Sequence, residues 1–430
     1  MASVASLRIG KFAKYLSEFG WEPIILTVNE IDENNNDYLS NTGSFKIYRT
    51  RPFNFYRYIA SRLIKKKIHT SADKPVTNRK NHFTWKCYLI SFVRLFKPLY
   101  TLPLIRMFTT EPILWYITGA RKGLQIINEE NIDLIFSSYN PSVSHMIAAR
   151  LQKRSKLPWI ADFRDLWSQN HYAAKTQPFH FLEKQVEKIV MKRAAKLITV
   201  STPLANELVA LHAKPVDVIT NGYDESDYIS EIPLVKNFMI TYTGSIYPKK
   251  QDPTPLFEAI SELALERKLP LKGFKVRFYG SNLDHLLPTI RKYGIERFIE
   301  INDQISFYES TSKQQESTIL LLLSWNDPKY KGVYTAKVFE YLGAKRPILA
   351  IGICGSVVDD LLNKTGSGII SNKTQDLKSI LVRWFEEFEN TGKISSYWHP
   401  NKCAVKQYTR QAQTEILASI FNELLLIRNI

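Results

Sequence analysis

Short, continuous apolar runs alternate with amphipathic helical stretches along the 430 residues, and the pattern breaks at Asn221-Gly222-Tyr223-Asp224 and restarts at Met239. Together these predict an α/β protein of two Rossmann-like domains facing a cleft. The length agrees, being too great for one compact core. The predicted strands are 22–28, 133–138, 158–162, 196–200, 217–220, 239–243, 275–279, 319–324 and 347–351. Most are unbroken apolar runs, as expected of parallel strands covered on both faces. Phe12, Leu16 and Phe19 mark the apolar face of a first helix, 335–343 forms a shorter one, and Ala412, Ile416, Ile420 and Leu424 mark the last. The domains are 1–225 and 236–403, followed by a terminal helix, 404–430. In such sheets ligands sit beyond the carboxyl ends of the strands, so the cleft is the expected site.

Composition removes several classes. The three cysteines, Cys87, Cys354 and Cys403, are far apart and form no CxxC pair, which points to a reducing compartment. No histidines stand at metal-ligand spacing on a helix, so a structural or catalytic zinc is not expected. No run of about 18 apolar residues and no signal-type apolar region is present.

The net charge of +17 is concentrated: 46–106 holds 15 Lys and Arg and the single acid Asp73. This insertion interleaves basic and aromatic residues at helical spacing. Such a segment can lie on an anionic bilayer, with Arg62, Lys65, Lys66 and Lys67 reaching headgroups and Trp85 in the interface. A solvated helical insertion and a nucleic-acid patch are the other readings of the same charge; the predicted partner is the membrane surface and not nucleic acid.

Seven stretches carry a resemblance: GKFAKYLSEFGWEPIILT, SSYNPSVSHMIAARL, WIADFRDLW, LITVSTPLANEL, VITNGYDESD, TYTGSIY and YTAKVFEYLGAKRPILAIG. In this order they resemble the retaining glycosyltransferases of family 4, which have the GT-B fold. The resemblance spans nearly the whole chain outside the basic insertion. It implies a metal-independent hexosyltransferase with a donor site in the C-terminal domain, an acceptor site mainly in the N-terminal one, and a terminal helix packed back on the N-terminal domain. The implied donor is a nucleotide-sugar, used as a substrate, and no metal or other cofactor is expected. The implied setting is surface polysaccharide synthesis on a lipid-linked glycan acceptor, at the cytoplasmic, inner face of the cell membrane.

Without a metal, the charge developing on a leaving nucleoside diphosphate has to be met by cations, backbone N–H groups and a helix N-terminus. The resemblance assigns this to Lys249 or Lys250 and to the helix begun by Thr335 with Lys337, while Gly244 lets the backbone approach the ligand. Glu340 matches the glutamate that holds the ribose hydroxyls, since a carboxylate accepts two such bonds. On the acceptor side, Asp162 or Asp165 would orient or deprotonate a hydroxyl and Arg164 would meet phosphate; the alternative is a structural Asp–Arg network. His145 is a contact candidate for sugar or acceptor, although it stands several residues late. Asn221, Gly222 and Asp224 shape the hinge, with Asp224 placed to cap a turn.

Two features depart from the pattern. Eight residues before Glu340, where many relatives carry a second glutamate, stands Gly332. Relatives also open with a strand and a glycine-rich turn before RIGKFAKYL, whereas this chain reads MASVASLRIGKF, so a first strand is expected to be missing, as from a start assigned too far downstream or a fragment. A nucleotide-sugar epimerase and a non-catalytic scaffold are the alternative functions.

Overall fold

The computed structural model describes residues 4–28, 45–51, 111–170, 179–229, 232–248, 250–268 and 273–428. Lys249, Arg62, Lys65, Lys66, Lys67 and Trp85 lie outside them, as does most of the basic insertion.

In the N-terminal half the order is α1 (Val4–Leu16), β1 (Ile24–Val28), β2 (Lys46–Thr50), α2 (Glu111–Glu129), β3 (Ile135–Tyr139), α3 (Val143–Ser155), β4 (Trp159–Phe163), α4 (Phe179–Met191), β5 (Lys196–Thr199), α5 (Thr202–His212) and β6 (Val216–Val218). β1 and β2 pair with each other, and β3-β4-β5-β6 form a second parallel group. β4 is buried along its whole length, because helices cover both faces. Trp159, Ala161 and Phe163 point toward α3, while Ile160 and Ile198 point toward α1.

The C-terminal half runs β7 (Phe238–Thr243), α6 (Thr254–Leu265), β8 (Phe274–Tyr279), α7 (Leu287–Lys292), β9 (Ile299–Asn302), α8 (Phe307–Gln315), β10 (Ile319–Leu323), α9 (Ala336–Ala344), β11 (Ile348–Ile351), α10 (Val357–Thr365), β12 (Gly368–Ser371), α11 (Thr374–Thr391), α12 (Lys402–Lys406) and α13 (Arg410–Arg428). Its six strands are parallel in the order β12-β11-β10-β7-β8-β9. Alternation along β10 divides the core: Ile319, Leu321 and Leu323 enter one layer, and Leu320 and Leu322 the other.

The chain crosses between the halves twice, and the crossings are tied together. Tyr223 N–H donates to the Tyr408 carbonyl at 3.0 Å, and Arg410 N–H donates to the Tyr223 carbonyl at 2.7 Å. α13 then returns to the first half, where Leu417 and Phe421 pack with Phe12 and Leu16. Asp224 caps the turn after the forward crossing, accepting from Ser226 N–H at 2.9 Å. Its carboxylate also accepts from Lys11 at 2.6 Å, Lys14 at 2.7 Å and Tyr15 at 2.7 Å. Burial alone would push this carboxyl up, but the Lys11 and Lys14 hydrogen bonds outweigh it and hold the group well below the usual carboxylate range. α1 is therefore clamped to the hinge by charge-assisted bonds that persist well into the acid range.

Candidate functional site

Of the residues expected to meet a donor, Gly244, Thr335, Lys337 and Glu340 converge beyond the carboxyl ends of β7 and β8, at the start of α9. After β7 the backbone turns through Gly244, whose φ is +130°. A side chain on Gly280 would collide with the Gly244 carbonyl, so two loops cross here at backbone distance. A Cβ on Gly244 would come within 2.9 Å of the Lys337 Cε. The lysine thus lies directly over the glycine loop.

Thr335 occupies the N-cap position of α9 with extended backbone (φ −81°, ψ 139°), but its hydroxyl makes no capping bond. The expected side-chain cap is therefore not formed; Thr335 Oγ1 is buried without a hydrogen-bond partner, and the first N–H groups of α9 receive nothing from it. One turn on, Lys337 Nζ donates to Glu340 Oε2 at 2.9 Å. Gln314 from α8 donates to the same oxygen at 3.4 Å and to Thr243 Oγ1 at 2.9 Å. Tyr228 donates its hydroxyl to the Glu340 carbonyl at 2.7 Å, which ties the hinge to the helix that carries the acid. Lys250 lies elsewhere on the loop after β7, its ammonium 4.8 Å from the centre of the Trp325 ring.

Gln314, Tyr228 and Trp325 belong to this region and were not singled out from sequence. Gln314 sits 26 residues from Glu340 on another helix, and no periodicity connects them.

Gly332 is buried where the halves meet. Its carbonyl accepts from Ser201 Oγ at 2.6 Å, and a Cβ there would stand 2.6 Å from the Pro203 Cβ. In this arrangement a side chain at the position, a glutamate included, would require Pro203 to shift.

On the acceptor side the structure corrects two expectations. Asp162 does not face the cleft as a base. It is fully buried, with Arg8 donating from Nη2 to Oδ1 at 3.0 Å and from Nε to Oδ2 at 3.1 Å, and Ser138 donating to Oδ2 at 2.7 Å. Arg8 also donates to the carbonyls of Ile219 and Thr220 at 2.9 and 2.8 Å. The structural Asp–Arg network exists, but its arginine comes from α1 rather than from Arg164. Arg164 instead pairs with its neighbour Asp165 at 2.6 Å, and both stay partly exposed after the end of β4.

His145 is the second correction. It is fully buried beneath the sheet and does not reach a surface from which to touch a sugar. Its Nδ1 shares a 2.8 Å hydrogen bond with Ser137 Oγ, which also accepts from Trp159 Nε1 at 2.7 Å. Burial pushes the imidazole down to about 4. The native state therefore holds a neutral ring where the unfolded chain takes up a proton below about 6.5. Stability from this group is complete above pH 6.5 and is lost as pH falls toward 4, by about 3 kcal/mol across that window. Denaturant midpoints at pH 7 and pH 4.5 are expected to differ less in His145→Phe than in the unmodified protein; an equal pH slope in both would remove the histidine from the account.

With the geometry described, comparison with known proteins places the fold. Residues 89–227 match the model of Glycosyltransferase Family 4. No curated protein sequence matches the chain. Among solved structures, a glycosyltransferase from Rickettsia africae superposes with a TM-score of 0.62 at 16% identity, covering 98% of this chain and 96% of that one. Sucrose-phosphate synthase from Thermosynechococcus elongatus gives 0.59 at 12% identity, covering 99% and 94%. Anabaena HepE, in complex with UDP-glucose, gives 0.57 at 13% identity, covering 98% and 97%. The chain has the GT-B fold of the glycosyltransferases. Within it, the segment 89–227 is similar to that of Glycosyltransferase Family 4.

Proposed function

We propose that the protein is a glycosyltransferase that takes a hexosyl group from a nucleotide-sugar, with UDP-sugars the first donors to test because Anabaena HepE binds UDP-glucose. The observation that carries the reading is the convergence of the Gly244 loop, Lys337, the uncapped start of α9 and Glu340 at the carboxyl edge of the second sheet. A diphosphate competes for Lys337, which now neutralises Glu340, and gains the open N–H groups of α9. Glu340 is then free to accept two ribose hydroxyls.

In the transfer, the bond from the anomeric carbon to the β-phosphate oxygen breaks and leaves its electron pair on the phosphate. The acceptor oxygen bonds to the anomeric carbon, and its proton passes to the departing phosphate. With Gly332 where a carboxylate would otherwise stand, we assign retention to this same-face route, without a metal. Titration calorimetry with UDP and UDP-sugars tests the reading: saturable binding supports it, and no heat with any nucleoside diphosphate ends it. Product analysis with and without acceptor separates transfer from epimerisation.

We further place the acceptor, a lipid-linked glycan in surface polysaccharide synthesis, at the cytoplasmic face of an anionic membrane. Among the described residues no helix is long and apolar enough to cross a bilayer. A groove of about 340 Å³ between α2, α3 and α4 favours surface attachment. Arg150, Lys153, Arg154 and Arg193 line it beside Met146 and Ile189, the last 65% exposed. Each such cation adds about 1 kcal/mol of attraction to an anionic leaflet. Replacing Arg150, Arg154 and Arg193 with Gln is expected to weaken sedimentation with phosphatidylserine vesicles roughly 10²-fold while UDP affinity stays unchanged. Equal sedimentation of the variant would move attachment elsewhere.

A further inference from the structure

The winding of the C-terminal sheet reverses between β7 and β10: β8 and β9 follow on one side of β7, and β10, β11 and β12 stand on the other. Loops leaving such a pair of strands flank the crevice in which open α/β sheets take ligands. Two aromatic side chains meet there. Tyr247, four residues past β7, stacks on Trp325, two residues past β10, with ring centroids 5.9 Å apart and planes 22° from parallel. Trp325 is buried, with the Tyr330 ring centroid 4.9 Å away and the Lys250 ammonium 4.8 Å from its centre. Yet among the described residues it belongs to none of the four apolar clusters that form the core. Tyr247 covers it with one ring face and is itself 55% exposed. The pair is held from below. Gln251, itself buried, accepts from Tyr247 N–H at 3.1 Å through Oε1 and donates from Nε2 to the Leu323 carbonyl at 2.7 Å. Asn326 N–H donates to the Lys250 carbonyl at 3.2 Å. The two loops are thus joined by side chain and by main chain, and the exposed ring is fixed in place before a ligand arrives.

We propose that Tyr247, backed by Trp325, is the platform on which the hexosyl ring of the donor stacks, so that this pair selects among sugars by their apolar face. The inference rests on the donor-site reading above. Glu340 takes the ribose, and Lys337 with the Gly244 loop takes the diphosphate, which leaves the sugar beyond Gly244 and the base at the opposite end. Tyr247 stands three residues further along that same loop. The segment that carries Trp325 goes on to touch the N-terminal half at Gly332, whose carbonyl accepts from Ser201 Oγ. The transferred group has to lie on the side of the acceptor, and that is the side to which this segment reaches. The chemistry of the ring fits a pyranose. An aromatic face carries negative charge density, and the C–H groups of a sugar are weakly positive, so a pyranose lays its C–H face on the ring and turns its hydroxyls elsewhere. Hexoses with their C–H groups gathered on one face gain most from this contact, and a hydroxyl directed at the ring interrupts it. Gly332 has no side chain with which to grip the sugar instead.

The test titrates UDP, UDP-glucose, UDP-galactose and UDP-N-acetylglucosamine calorimetrically into the full chain and into Tyr247→Ala and Tyr247→Phe. Tyr247 is exposed, so the alanine variant is expected to fold with Tm within about 2 °C of the original. It is expected to bind the tightest of the three UDP-sugars about 10-fold more weakly, while UDP affinity stays within about twofold. The phenylalanine variant keeps the ring and is expected to keep the affinity. In saturation-transfer NMR of the same complexes, Tyr247→Ala is expected to lose intensity at the hexose C–H signals and to retain it at those of ribose and uracil. The proposal is overturned if the alanine change weakens UDP and UDP-sugar equally or weakens neither, if phenylalanine loses as much as alanine, or if the uracil signals fall in place of the hexose ones. A chain that binds neither UDP nor any UDP-sugar ends the donor-site reading and this inference with it. Binding of both without a sugar-specific loss ends this inference alone.

Discussion

Lys337→Ala is expected to lower kcat/KM for transfer from a UDP-sugar by about 10²–10³-fold, the usual cost of removing one preorganised group aimed at charge that develops in the transition state. The lysine overlies the Gly244 loop and is held by Glu340 at 2.9 Å, so it is positioned before any ligand arrives. Lys337→Arg is expected to recover part of the loss, because the charge returns with different geometry. Under the proposed reading, Glu340→Ala would remove two hydrogen bonds to a charged acceptor and is expected to weaken UDP binding by about 10–100-fold. Neither change is expected to cost more than about 1 kcal/mol of stability, since the pair is partly exposed. Calorimetric UDP titration and steady-state kinetics on the two variants check this. Unchanged affinity in both would place the diphosphate elsewhere.

Asp162→Ala is expected to act through folding, with a loss of about 3–5 kcal/mol, because it leaves the Arg8 guanidinium buried without its counter-charge. Arg8 and Asp162 are both fully buried and joined by two hydrogen bonds. The double variant Arg8→Met, Asp162→Leu is expected to recover most of the stability, as buried pairs replaced by apolar groups of similar volume often do. Urea denaturation of the single and double variants measures the coupling. Were Asp162 a catalytic base, the double variant would be stable and inactive; the buried geometry predicts that it transfers sugar wherever it folds.

The strands easiest to read from sequence were those with both faces covered. Runs such as ILLLL in β10 and WIADF in β4 are apolar throughout because no face meets water. Three strands are not legible in the sequence: KIYRT in β2, IEIN in β9 and GIIS in β12. The first two carry charges and the third opens on glycine, and among the described residues all three end their sheets as edges. There one side of the backbone and part of each face reach solvent, so the apolar pattern is diluted. The break at 221–224 was legible because a polar, glycine-containing turn interrupts two apolar runs.

At the sites the division has the same origin. Lys337 and Glu340 are one helical turn apart, so their pairing follows from local periodicity. Arg8 meets Asp162 across 154 residues and Gln314 meets Glu340 across 26, and no local rule connects either pair. The same blindness made Asp162 and His145 look available to substrate. Residue type and strand position were visible, but burial was not.

By itself, then, the order of amino acids determined the α/β architecture and the helix that carries Lys337 and Glu340, since each depends on contacts within a few residues. Only the tertiary structure decided that Asp162 and His145 belong to the interior and that Gly332 is a point of contact between the halves. Those outcomes depend on which distant segments pack together, and packing is the one thing a local pattern does not encode.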